Sequence, residues 1–226
     1  MNKFEVNHKK VLSTAGILLV LALISVLFFD HDIYSSINFY LHHGQFHSSQ
    51  LKGKSFIYEF VTAEFTLLGF VAILIIMMLY DSKRINSNLW FMIFIVYQAI
   101  CLIIINYAKI YLKYFFARCV PEICYLPEYQ SMVDLWGFHW FSFDFASFPS
   151  GHSMFMGYCF LWSRAIPSRL SNFVSWVFVS LVAGMILFNY HFLGDCLAGA
   201  ALGLMWGSFC LLIWSKIRQC ATNQAP

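Results

Sequence analysis

Six long apolar runs, separated by polar segments, dominate the pattern of the chain. About 20 helical residues cross the ~30 Å hydrocarbon core of a bilayer, so each run predicts a membrane-spanning helix. The predicted spans are residues 11–29, 56–80, 89–108, 152–167, 173–190 and 195–214. The pattern therefore predicts an all-α, polytopic membrane protein whose six transmembrane helices form one bundle and one domain, residues 1–226.

Composition supports the same fold class. Of the 226 residues, 60% are hydrophobic and only 11% are charged, which is too little polar surface to cover a soluble globule of this size. Residues 11–29 are not followed by a small-residue cleavage site, so we expect this run to remain as a helix rather than to be removed as a signal peptide.

The distribution of positive charge predicts an orientation. With the N-terminus in the cytoplasm, nine of the 14 Lys and Arg residues fall on the cytoplasmic side, and this bias favours cytoplasmic N- and C-termini. Orientation and contact with anionic lipid account for the net charge of +3, so no nucleic-acid partner is expected.

Both long connections fall on the predicted external side. The first, residues 30–53, carries four histidines, and three of them follow one another closely at positions 42, 43 and 47 with no Cys or carboxylate among them. We therefore interpret this connection as an interfacial segment without a metal site. These histidines are His31, His42, His43 and His47. The second connection, residues 109–151, has an aromatic stretch at 135–148 that suits headgroup depth.

Two of the seven cysteines lie in this second connection. Cys119 and Cys124 are five residues apart, and they can form a disulfide if that compartment is oxidising. The cysteines within or beside apolar runs are expected to pack as small hydrophobic side chains. They are Cys101, Cys159, Cys196 and Cys210.

The tetrad Pro149-Ser150-Gly151-His152 directly precedes an apolar run. One interpretation is local, because Ser150 is a good helix N-cap. The other is chemical: the backbone N–H groups of Gly151 and His152 at a helix N-terminus form an anion site, and Gly151 permits close approach of the ligand.

Further ionisable residues fall at the same predicted end of the bundle. Lys113 and Arg118 follow the third span and supply positive charge, Arg118 with bidentate capacity for phosphate. His191 and Asp195 share a face if both are helical. A carboxylate on one imidazole nitrogen leaves the other free as a nucleophile, and His152 is then available as general acid.

Together the tetrad, the His191-x3-Asp195 pair and the preceding Lys/Arg-x-Pro segment resemble the type 2 phosphatidic acid phosphatase family, relatives of the vanadium haloperoxidases. The motifs cover residues 109–200. The resemblance implies His191 as the nucleophile that forms a phosphohistidine, Asp195 as its orienting partner and His152 as acid and then base. It implies phosphate binding by Lys113, Arg118, Ser150 and Gly151, and requires no cofactor or metal.

The chain departs from the family pattern at two positions. Val120 stands where the first motif usually has arginine, and Gly184-Met185 stands where the third motif usually has Ser-Arg. Losing two charge-assisted hydrogen bonds without compensation weakens transition-state binding strongly. Either Lys113, Arg118 and Asn189 compensate, or the activity is reduced or altered; the retained nucleophile, orienting carboxylate and acid favour a surviving catalytic activity.

Two carboxylates, Glu59 and Glu64, fall in the outer half of the second span. Carboxylates at membrane depth are costly unless they are paired or face a cavity. Two interpretations stay open: structural pairing with a basic group such as Lys109, or recognition of a cationic or sugar headgroup.

The expected function is a lipid phosphatase that hydrolyses a phosphomonoester or diphosphate at the external leaflet. Three alternatives remain: a lipid phosphotransferase using the same histidine, a non-catalytic lipid-phosphate-binding protein, and a transporter. By analogy with the family, the expected location is a bacterial inner membrane with the site facing the periplasm.

Overall fold

The computed structural model describes residues 6–42, 88–121, 138, 140–141, 147–164, 168–188 and 190–222. All regular elements in these ranges are helical. The α-helices are α1 (His8–Ile24), α2 (Asp30–His42), α3 (Asn88–Phe116), α4 (Gly151–Ser163), α5 (Ser168–Leu187) and α6 (Leu193–Thr222). A π-helical turn, Ser25–Phe29, joins α1 to α2.

Three helical segments of the described chain are long and apolar enough to cross a membrane: His8–Ile37, Met92–Phe116 and Leu193–Cys220. They correspond to the predicted spans 11–29, 89–108 and 195–214. The predicted span 152–167 is a shorter helix, because α4 has 13 residues, about 20 Å of helix. Residues 56–80 lie outside the described residues. The six-span layout and the orientation of the termini stay predictions.

The first helix does not give way to a polar connection at Asp30 as the sequence pattern predicted. The helix continues through the π-helical turn into α2. Asp30 is only 2% exposed, and its Oδ1 accepts a hydrogen bond of 2.7 Å from Ser25 Oγ. A buried carboxylate with internal partners need not end a helix, so this polar residue marks a buried site.

Close backbone packing joins α4 to α6. Gly199, Gly203 and Gly207 recur every four residues along α6, the spacing that lets membrane helices approach closely. A Cβ added at Gly203 would collide with the Met154 carbonyl oxygen, and one at Gly157 would lie 2.5 Å from the Ala200 carbonyl oxygen. This contact seats the N-terminus of α4 beside the first turn of α6.

α1 runs antiparallel to α6. His8 Nδ1 lies 2.8 Å from Ser208 Oγ, and farther along α1 Ala15 packs with Ala201. At the other end, a Cβ on Gly194 would lie 2.8 Å from Asp30 Oδ2. Asp30 and the start of α6 therefore meet at the end of the bundle that lies away from His8.

The substitution Gly203→Ala tests the close packing of α4 on α6. Alanine in place of glycine stabilises a helix by up to about 1 kcal/mol. Overpacking at this position should lower the stability of the folded protein by about 1–3 kcal/mol, because the added methyl group collides with the backbone of α4. We expect a lower melting temperature in detergent, measured by tryptophan fluorescence. The matched control is Gly184→Ala, where an added Cβ meets nothing within 4 Å. If Gly203→Ala melts with or above that control, the close contact is wrong.

Candidate active site

Four chain segments meet at the end of the bundle that holds Asp30. They are the junction of α1 and α2, the turn after α3, the segment leading into α4, and the turn leading into α6. Of the site residues predicted from the sequence, the structure brings together Lys113, Arg118, Ser150, Gly151, His152, His191 and Asp195. Glu59, Glu64 and Asn189 lie outside the described residues.

Asp195 is fully enclosed, with a side chain 0% exposed. It is the third residue of α6, and its Oδ2 accepts a hydrogen bond from the backbone N–H of Phe192 at 3.4 Å. This contact reaches back to the residue before the helix, as in a capping box. A negative charge in the first turn is also favoured by the helix dipole. Local helix chemistry therefore holds the carboxylate in place.

Ser147 stands between Asp195 and the imidazole of His191. Its Oγ donates a hydrogen bond to Asp195 Oδ2 and lies 3.2 Å from His191 Nδ1. The direct separation of Nδ1 from Oδ2 is 3.6 Å, longer than a hydrogen bond. Because the Ser147 proton goes to Asp195, its oxygen is available to accept the proton of Nδ1. The carboxylate therefore acts on His191 through a serine.

This arrangement selects one protonation state of His191. Protonation at Nδ1 leaves Nε2 with the lone pair. His191 is only 4% exposed, and burial lowers the pKa of His191 below its ordinary value although Asp195 opposes the shift. At neutral pH the imidazole is therefore uncharged, the state that a nucleophile requires.

His152, the second histidine, faces the first across a short gap. The two ring centroids are 6.0 Å apart. Both ring nitrogens of His152 are buried and have no hydrogen-bond partner among the described residues. Buried nitrogens without a partner are costly, and a ligand with oxygen atoms bound at this end of the bundle would offset that cost.

The start of α4 supplies backbone donors near the same gap. Ser150 is the N-cap, and its Oγ accepts from Ser153 N at 3.4 Å. The N–H groups of Gly151 and His152, in the first turn, have no acceptor within the helix. The local interpretation of Ser150 is therefore correct, and it leaves the anion-binding interpretation of this helix end open.

Two lysines of α3 lie close to this helix end. Lys113 interacts electrostatically with His152, His191 and Asp195. Lys109, one turn earlier, crosses Gly151 so closely that a Cβ there would lie 2.5 Å from the Lys109 Cδ. Its Nζ lies 5.3 Å from the centre of the Phe155 ring. Gly151 thus makes room for a cationic side chain as well as for any ligand.

Arg118 is buried between two carboxylates. Its Nη1 lies 2.6 Å from Asp195 Oδ1 and 2.8 Å from Asp30 Oδ2. Phe192 covers the guanidinium at 4.3 Å. Burial alone would lower the pKa of Arg118, but the two carboxylates raise it above its ordinary value. The described contacts of this arginine thus include two carboxylates, and its predicted role as a phosphate ligand stays a prediction.

The backbone of Arg118 also positions Ser147, because its carbonyl accepts the Ser147 N–H at 2.8 Å. The chain turns toward this contact at Ala117, which has a positive φ of 43°. The next residue, Cys119, is disulfide-bonded, whereas its expected partner Cys124 lies outside the described residues. One short turn after α3 therefore places both a cation and the bridging serine.

Met185 and Val120, the residues at the family's arginine positions, have different surroundings here. Met185 is 1% exposed and packs with Met156 and Cys196. Its carbonyl accepts the N–H groups of Tyr190 and His191, at 2.9 and 3.3 Å. Met185 therefore holds the turn that carries His191 through its backbone. Val120 is half-buried.

Sequence reasoning missed Ser147 and Asp30. Ser147 lies two residues before Pro149, and this closeness to the tetrad is the one local signal it offers. Asp30 is an acidic residue at the end of an apolar run, which resembled an ordinary helix boundary. The sequence predicted that His191 and Asp195 share a face if both are helical, whereas His191 lies before α6.

Comparison with known proteins identifies one family. The family model of the PAP2 superfamily matches residues 94–219, more than half of the chain, and this range contains the whole of α4, α5 and the site segments from Arg118 to Asp195. No curated protein matches the chain. No solved structure matches it either.

The serine bridge predicts a specific tautomer of His191. In protein labelled with ¹⁵N-histidine, we expect Nδ1–H imidazole at neutral pH and protonation only below about pH 6.5, the usual pKa of histidine. Ser147→Ala should raise the share of the Nε2–H tautomer. The matched control is Ser175→Ala, because Ser175 Oγ donates to the Ser171 carbonyl of its own helix. An unchanged tautomer in Ser147→Ala would contradict the bridge.

Proposed function

Because the chain belongs to the PAP2 superfamily, whose members generally act as phosphatases on phosphate esters, we propose that it removes phosphate from a lipid phosphomonoester or diphosphate. The observation that carries the proposal is the pair of facing histidines. One is oriented by a serine and a carboxylate, and the other has two ring nitrogens without a hydrogen-bond partner in the part of the chain that the structure describes. Such a pair suits the two halves of a group transfer.

In the first step the lone pair on His191 Nε2 attacks phosphorus. The bond from phosphorus to the leaving oxygen breaks, and that oxygen takes a proton from His152. The imidazole becomes positively charged as it is phosphorylated, and the Ser147–Asp195 bridge stabilises that charge. The negative charge of the bound phosphate favours the protonated form of His152 that this step needs.

In the second step water attacks the phosphohistidine. His152, now neutral, takes the proton of the water, and the bond between nitrogen and phosphorus breaks with its electron pair returning to His191. Inorganic phosphate leaves, and both histidines regain their starting protonation. The same groups serve both steps in opposite directions, as microscopic reversibility requires.

Phosphate binding in this proposal uses groups from α3 and α4. Lys113 supplies charge, and the N–H groups of Gly151 and His152 supply donors at the positive end of a helix. Ser150 and Arg118 stay in the proposed binding set, Ser150 through the helix end that it caps. Lys109 lies against Gly151 and adds a second cation to the same side of the site.

The position of the site at one end of long apolar helices supports a lipid substrate. A phosphate headgroup can enter this end while its chains remain in the bilayer. We place the site at the external leaflet of a bacterial inner membrane, and we extend the domain over residues 1–226. Candidate substrates share one chemistry, a terminal phosphate or diphosphate on a lipid.

A non-catalytic lipid-phosphate-binding protein is the second candidate. It is favoured by Met185, which occupies a family arginine position and packs into an apolar cluster. The two candidates differ in one measurable property, because only the phosphatase forms a covalent intermediate.

The test is phosphate release from a panel of lipid phosphates and diphosphates by detergent-purified protein, with EDTA present. We expect metal-independent release that His191→Gln reduces by a factor of about 10⁴ or more, the scale of losing a nucleophile. His31→Gln is the matched control, because His31 is exposed on α2. Release that requires added metal would contradict the mechanism. Binding of these lipids without any release would favour the second candidate.

A separate measurement assigns the two histidines. With a phosphate donor whose leaving group needs no proton, His152→Gln should still form acid-labile phosphohistidine on His191 but should turn over about 10²–10⁴ times more slowly. Phosphopeptide mass spectrometry at high pH identifies the modified residue. Phosphate found on His152 would reverse the assignment. Transfer of label to an added lipid acceptor in preference to water would indicate the transferase.

A further inference from the structure

We propose that Asp30 is a positioning residue for the reaction, and that it acts on His191 through Arg118 and Asp195. This inference rests on the proposed function, since it names a further part of the same site. Asp30 lies 88 residues from Arg118 along the chain, and none of the motifs of the sequence includes it.

The first argument is the sharing of one guanidinium nitrogen. Arg118 Nη1 contacts Asp30 Oδ2 and Asp195 Oδ1 at 2.8 and 2.6 Å. With Asp195 alone, a buried arginine would form a neutral pair and would cancel much of the negative potential at His191. Because Asp30 shares the cation, the three groups together keep one excess negative charge. Asp195 therefore retains the potential that stabilises a phosphorylated imidazole.

The second argument is that hydrogen bonds hold the Asp30 carboxylate in a fixed position. Its Oδ1 accepts hydrogen bonds from Ser25 Oγ at 2.7 Å and from Gly194 N at 3.0 Å. Gly194 directly precedes Asp195, so Asp30 holds the first turn of α6 by its backbone as well as by Arg118. A Cβ on Gly194 would lie 2.6 Å from the Val26 side chain, so this approach requires glycine.

The third argument is position relative to the nucleophile. Asp30 and His191 line the same small cleft, together with Tyr34 and Phe192. Phe192 lies against the Arg118 guanidinium and against the Tyr34 ring of α2, with centroids 6.2 Å apart. The junction of α1 and α2 thus backs the turn that carries His191.

The sign of the electrostatic effect follows from the groups around His191. They are Asp195, Ser147, His152, Tyr190, Lys113 and Arg118. Arg118 disfavours a positive charge on His191, and Asp30 offsets part of that charge. Neutralising Asp30 therefore makes His191 harder to protonate, whereas removing the Arg118 charge makes it easier to protonate.

The experiment compares Asp30→Asn with Asp32→Asn. Asp32 lies two residues away on the same helix, and its side chain is 80% exposed. We expect Asp30→Asn to lower kcat by about 10- to 100-fold, the scale of one charge-assisted hydrogen bond, while KM stays within about threefold. The acidic limb of the kcat/KM profile should move to lower pH. Asp32→Asn should match the wild-type protein.

Arg118→Gln distinguishes positioning from a general loss of stability. It should move the acidic limb to higher pH, opposite to Asp30→Asn, whereas a structural defect moves neither limb. In the Arg118→Gln background, Asp30→Asn should lower kcat by less than it does alone, because the two residues act through one contact. The proposal would be overturned if the acidic limb moved equally and in the same direction in both variants. It would also be overturned if the two losses of kcat were fully additive.

Two further measurements keep the proposal testable. If Asp30→Asn does not yield folded protein, Ser25→Ala removes one support of Asp30 without changing its charge. This variant should lower kcat with KM unchanged, and an unaltered kcat overturns the proposal.

If the wild-type protein releases no phosphate, the proposed function has failed, but the ¹⁵N titration of His191 still applies. A lower His191 pKa in Asp30→Asn supports the positioning role, and an unchanged pKa refutes it.

Discussion

The geometry of the site depends on one buried cation, Arg118, shared by two carboxylates. A buried charge must be paired, and removing one partner of a buried pair typically costs about 3–5 kcal/mol because the other charge is left uncompensated. Here the pairing joins the junction of α1 and α2, the turn after α3 and the first turn of α6. The same residue holds Ser147 through its backbone carbonyl. Its side chain and its main chain therefore position two different parts of the site.

The close contact of α4 with α6 provides the second constraint. Glycines along α6 let the backbone of α4 approach within van der Waals contact, and Ser150 N then donates to the Asp195 carbonyl at 3.0 Å. That bond fixes the start of one helix against the start of the other. His152 and His191 face each other because each lies within two residues of one of these helix starts. Larger side chains at the glycine positions would push α4 away from α6 and would thereby separate the histidines.

Parts of this arrangement follow from the sequence. The apolar runs predict helices, the tetrad predicts the start of α4, and the family resemblance is confirmed by the match to the PAP2 superfamily. Ser147 and Asp30 could not be predicted, because their roles arise from contacts with residues 44 and 88 positions away. The expectation that His191 and Asp195 share a helix face assumed that both are helical. His191 lies before α6, and the serine bridge takes the place of a direct contact.

The missing family arginines also have a physical consequence. Met185 and Val120 bring no positive charge to the site, and Arg118 contacts carboxylates. In the proposed phosphatase, the positive charge that binds phosphate therefore comes largely from the lysines of α3. A lysine is a point charge that lacks the planar, bidentate geometry of arginine. Orientation of the phosphate therefore depends more on the backbone N–H groups at the start of α4, whose direction the contact with α6 fixes. The glycine packing of α4 on α6 therefore determines how the site can bind phosphate.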